Sequence, residues 1–105
     1  MRPNEETAVV KLREILEKKF ALVDFCVYGS KARGDVSEDS DVDVMIEIEE
    51  FSPKIESEID DVVYEVNLDN DCLISTVIFG RKELEEGPCS ESPLYRMIKK
   101  EGLRI

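Results

Sequence analysis

Hydrophobic residues first recur at helical spacing. Val9, Leu12, Ile15 and Leu16 form one apolar stripe, which predicts a helix from a capping Asn4 to about Lys19. Glu5 and Glu6 suit its start, and Lys18 and Lys19 suit its end. The period then changes to two. Val23, Phe25 and Val27 alternate with Asp24, Cys26 and Tyr28, predicting a strand over Ala21–Tyr28 that delivers the chain to Gly29. A short helical turn over Ser30–Arg33 and a polar loop over Gly34–Ser40 follow. In the next strand, Asp41 to about Glu49, Val42, Val44, Ile46 and Ile48 alternate with Asp41, Asp43, Met45 and Glu47.

Ser52-Pro53 is a helix start, and Ile55, Ile59, Val62, Val63 and Val66 carry its stripe to about Leu68. Asp69-Asn70-Asp71 is turn chemistry. Leu73–Phe79 is short, apolar and β-branched, as a strand buried on both faces would be. One helical turn is expected over Lys82–Glu86, stopped by Gly87-Pro88. Ser92-Pro93 opens a last helix with Leu94, Met97 and Ile98 inward and Gly102 beyond its end. Leu103-Arg104-Ile105 is expected as a short edge strand. The order helix, strand, strand, helix, strand, helix predicts an α/β (α+β) fold: a small mixed sheet with helices packed on one side and the other face free for a site.

Composition narrows the picture. A chain of 105 residues makes one domain, 1–105. No apolar run reaches membrane length and the N-terminus lacks a signal-peptide core, so a cytoplasmic protein is expected. Cys26, Cys72 and Cys89 are an odd, scattered set, neither a disulfide framework nor a zinc pattern. With no His, imidazole acid–base chemistry is excluded. The net charge of −11 argues against general nucleic-acid binding, whose affinity comes largely from Lys and Arg. Between Asp35 and Asp71 stand fifteen acids and one base, Lys54. A solvated acidic face accounts for this more simply than a docking surface for a basic partner.

The candidate chemistry lies in Gly29-Ser30-Lys31-Ala32-Arg33-Gly34-Asp35, five further residues, and Asp41-Val42-Asp43. Residues two apart on a strand share a face, so Asp41 and Asp43 point the same way. Two like charges so placed are best tolerated around a divalent cation, and hard cations such as Mg²⁺ take oxygen ligands. Gly29 and Gly34 allow close approach of backbone to a ligand. Ser30 and the amides after it suit phosphate oxygens, and Arg33 and Lys31 suit phosphate charge.

The G-S-x-A-R-G-D-x-x-x-x-S-D-x-D run resembles the signature of the polymerase-β-type nucleotidyltransferase superfamily, and most of all its minimal (MNT) branch of MntA-like antitoxins. The ending Ser92-Pro93-Leu94-Tyr95 through Lys100-Glu101-Gly102 is similar to that branch as well. The resemblance implies an enzyme that binds a Mg²⁺ (or Mn²⁺) complex of a nucleoside triphosphate such as ATP and transfers its nucleotide to a hydroxyl. It implies Asp41 and Asp43 as metal ligands and catalytic residues. Gly29, Ser30 and Arg33, with Lys31 as the weaker candidate, are implied as the nucleotide-binding set. It also implies a HEPN-domain protein as partner, modified or simply masked; a homo-oligomer is left open. The superfamily uses a third strand carboxylate. On the predicted third strand Ser75 stands near that place, with Asp71 at the strand's start; a different parse makes 59–66 the strand and Asp61 the ligand. That parse leaves too few residues after Glu49 for a crossover helix.

Overall fold

The computed structural model describes residues 1–29, 31, 41–82 and 93–104. The expected turn around Lys31, the loop Gly34–Ser40 and the turn beyond Lys82 therefore lie outside the described residues, Lys31 itself excepted. The elements are α1 (Pro3–Lys19), β1 (Leu22–Tyr28), β2 (Val42–Ile48), α2 (Pro53–Asn70), β3 (Ile74–Gly80) and α3 (Pro93–Glu101). Among the described residues these elements form a three-stranded mixed sheet in the order β1-β2-β3 with helices packed on it, the α+β architecture expected. β1 and β2 run antiparallel, whereas β2 and β3 run parallel, as a crossover through α2 requires.

The pleat divides the residues of β2. Val42, Val44, Ile46 and Ile48 are buried with Phe25 and Val27 of β1, under Ala8, Val9, Leu12 and Leu16 of α1 and Ile59, Val63 and Val66 of α2. The register of β1 shifts between Leu22 and Asp24, so Val23 is an extra residue there and drops out of the expected alternation. β3 departs from expectation too. It is an edge strand, with Ser75 exposed and Thr76 to Phe79 only half-buried, because a strand paired on one side is covered less completely than central β2.

The last helix takes the other face. Ile98 of α3 packs on Cys26 and Met45, with Val77 and Phe79 beside them. Leu94 and Met97, expected inward, stay partly exposed. Ion pairs and a hydrogen bond fasten this helix and the residues after it: Asp24 pairs with Lys99 and Arg104, and Glu47 accepts a hydrogen bond from Tyr95 Oη at 3.3 Å. Burial raises the Asp24 pKa, but the hydrogen bonds from Arg104 and Lys99 outweigh it and hold the carboxyl below its ordinary range. Leu103 then exchanges two backbone hydrogen bonds with Val27 (2.8 and 2.7 Å), covering part of β1's outer edge as the expected short strand would.

Asn4 does not cap α1. The cap is Arg2 and the helix starts at Pro3, so Asn4 lies within the first turn and its amide instead donates to the carbonyls of Asn70 and Asp71 at the end of α2. The orphan carbonyls of a helix C-terminus need donors, and Asn4 supplies them across the sequence. No helix among the described residues is long and apolar enough to cross a membrane.

Candidate active site

The site is built where β1 ends beside the start of β2. Asp43 pairs with Tyr28 on one side and with Ser75 on the other, so the three side chains form one row across the sheet face that carries α3. Two further rows run below it: Cys26, Met45 and Val77, then Asp24, Glu47 and Phe79. α3 lies over those lower rows through Ile98 and Tyr95. Asp43 and Tyr28 are half-buried, and Ser75 is exposed.

Gly29 follows Tyr28 with φ of +74°, a conformation that suits glycine. A methyl group on its Cα would sit 2.6 Å from Asp43 Oδ2. Glycine suits the left-handed turn, and any side chain placed here would have to displace the Asp43 carboxylate. Asp41 lies one residue ahead of β2 and is exposed. Val42 between them is fully buried and donates its N–H to Leu73 O at 3.0 Å, anchoring the carboxylate segment to the chain that enters β3.

Lys31 is placed differently from a surface cation. Its Nζ lies 3.3 Å from Glu5 Oε1, and the two side chains are 4% and 2% exposed. Glu5 also accepts the Arg2 N–H at 2.8 Å. Burial works against the Glu5 carboxylate, but the Arg2 amide and the Lys31 ammonium outweigh it and lower its pKa. The pair ties the turn after Gly29 to the first turn of α1. Ser30, Arg33 and Gly34 lie outside the described residues.

For the third acid the placements differ. Asp61 lies on α2, exposed, which removes the parse with a strand over 59–66. Asp71 is the C-cap of α2 in the left-handed region (φ 49°) and is exposed. Ser75 is the β3 residue opposite Asp43. Among the described residues, no three His, Cys, Asp or Glu side chains gather into a metal cluster. Asp43, Ser75 opposite it and Asp41 two positions ahead of it offer only oxygen, the donor type a hard divalent cation takes.

Two participants escaped the sequence reading. Tyr28 was legible as a strand residue only; its place beside Asp43 needed the antiparallel register. Burial first, then the charge of Asp43, pushes its phenol pKa up, so it stays a neutral donor. Glu5 looked like helix-start acidity, and nothing local signals its partner 26 positions away. The cysteines were expected to form neither a disulfide framework nor a zinc site. Of those described, Cys26 is buried and Cys72 half-buried, and burial raises both thiol pKa values.

A family model described as a nucleotidyltransferase domain matches residues 9–104. No curated protein matches the chain significantly. Among solved structures, one provisionally described as a minimal nucleotidyltransferase superposes with a TM-score of 0.61 at 20% identity, covering 95% of this chain and 94% of that one. At that identity the likeness speaks for the fold.

Proposed function

Because the chain belongs to the nucleotidyltransferase domain family, we propose that the Gly29–Asp43 corner binds a metal complex of a nucleoside triphosphate, ATP first among them, and that the chain transfers the nucleoside monophosphate to a hydroxyl. The observation that supports this reading is that Gly29, which opens the glycine–serine run, lies beside the carboxylate of Asp43, one of the paired acids: a Cβ at Gly29 would sit 2.6 Å from Asp43 Oδ2. Asp41 and Asp43 would hold Mg²⁺ or Mn²⁺, which when bound supplies charge neutralisation for the triphosphate. Gly29 lets the backbone approach the phosphates, and Ser30 and Arg33 follow it in sequence as further donors. Lys31 serves the site through Glu5, by holding the turn against α1. In the transfer, the acceptor oxygen bonds to the α-phosphorus, the bond to pyrophosphate breaks, and the hydroxyl loses its proton.

That proton is where this chain is weak. Ser75 stands opposite Asp43, where a third carboxylate would take it, and a serine hydroxyl is a far poorer base. This favours a second reading, in which the chain binds nucleotide but works chiefly as a masking module on a protein partner, such as a HEPN-domain toxin. Calorimetry with each triphosphate, with and without Mg²⁺ or Mn²⁺, tests the binding. Absence of metal-dependent binding to every triphosphate would sink both the transfer and the nucleotide-binding readings. Label from an α-labelled triphosphate appearing on a supplied HEPN partner separates transfer from masking.

A further inference from the structure

The outer face of α2 exposes large apolar side chains beside acidic ones. Its buried side presents Ile59, Val63 and Val66 to the sheet. On the opposite side, four positions apart and hence on one face, stand Tyr64 and Leu68, 65% and 64% exposed. Leu73, 59% exposed, follows the end of the helix. Asn67 holds that segment back against the helix by bonding both backbone groups of Ile74.

Beside this apolar ridge, a groove of about 430 Å³ runs between the end of α1 and α2, lined by Lys19, Phe20, Glu58, Asp61, Val62 and Glu65. Phe20 and Val62 give the groove apolar lining, and Glu58, Asp61 and Glu65 set three carboxylates against the ammonium of Lys19. Some surface acids have a cation beside them: Glu17 has Arg13, Glu49 has Arg81 and Glu50 has Lys82. Among the described residues, Glu58, Asp61 and Glu65 carry no ion pair. They lie three and four positions apart on one helix, where like charges repel.

We infer that this face of α2 docks a basic protein partner through an amphipathic helix, whose apolar residues cover Tyr64 and Leu68 and whose arginine or lysine side chains enter the Glu58–Asp61–Glu65 groove. Aliphatic stems of such cations would lie on Phe20 and Val62 while their heads meet the carboxylates. Charge complementarity selects this occupant. A second copy would set three unpaired carboxylates against three, and nucleic acid would meet a chain of net charge −11. The face lies on the far side of the sheet from Asp43, so the inference holds whether or not the chain transfers nucleotides.

The test uses the isotopically labelled full chain and two synthetic amphipathic helices. One carries leucines flanked by arginines; the other has glutamate in place of every arginine. The arginine peptide is expected to bind and to shift the amides of residues 58–68 and of Lys19 and Phe20, with the glutamate peptide at least about tenfold weaker. Tyr64→Ser with Leu68→Ser, and separately Asp61→Asn with Glu65→Gln, should each weaken the arginine peptide about tenfold, the order expected for losing an interface anchor. All four positions are exposed, and the variants' own spectra report whether they fold. No binding, equal binding of the two peptides, or binding indifferent to Tyr64 and Leu68 overturns the inference. So does a dimer in sedimentation that Tyr64→Ser dissolves, which would assign the face to a second copy.

Discussion

The Gly29 Cα faces the Asp43 carboxylate so closely that a methyl group there would lie 2.6 Å from Oδ2. The end of one strand and the start of another, fourteen positions on, thereby lie side by side at a single corner. Gly29→Ala tests it. The substitution adds a left-handed alanine and a clash, so a loss of about 1–3 kcal/mol is expected in urea unfolding. Metal-dependent triphosphate binding should fall further than stability does. A variant as stable as wild type would mean that Asp43 is not held where the fold places it.

Asp41→Asn with Asp43→Asn should leave the metal-free fold intact or slightly more stable, because it removes like charges that no metal relieves. Mg²⁺ should then no longer raise the melting temperature in the presence of ATP. A large drop in the metal-free melting temperature would instead give these acids a structural role.

Ser75→Asp sets a third carboxylate opposite Asp43. It should lower the melting temperature without metal and raise it more than wild type when Mg²⁺ is added. Transfer to a supplied partner should rise. If Asp71 already supplies the third acid, Ser75→Asp leaves transfer unchanged and Asp71→Ala abolishes it.

Glu5 and Lys31 form a buried pair behind the site. Glu5→Gln takes the carboxylate from a buried ammonium, and a cost of about 3–5 kcal/mol is expected. Adding Lys31→Met to it should recover much of that loss. Equal and additive losses in a double-mutant cycle would show that the two groups are not coupled.

The same carboxylate gives the acid dependence its sign. The folded pKa values of Glu5 and Asp24 lie below their ordinary 4.5 and 3.8. The stability each contributes is therefore complete above those values and is lost as pH falls through the lower, folded ones. The melting temperature should decline on acidification below about pH 4.5. Glu5→Gln, less stable at neutral pH, should show a shallower decline; an unchanged slope would remove Glu5 from the account.

Local pattern carried a large part of this protein. The alternation of Val42, Val44, Ile46 and Ile48 with Asp43, Met45 and Glu47 sorted β2 into a core face and a site face before any partner strand was known. The period-3.6 stripes located α1 and α2, and the glycine–serine run beside paired acids pointed to the corner. Such features depend on neighbours a few residues away, where strand pleat and helix turn are set by backbone geometry. What the sequence left open was registry between distant segments. Ser75 opposite Asp43, Tyr28 on its other side, and Glu5 buried on Lys31 each depend on which residues of two elements come level. So does the side on which α3 lands, since Ile98 could meet Cys26 and Met45 only once the other face had been filled by α1 and α2. Pairing of that kind is decided by the packing of the whole core, and no short stretch of the chain contains it.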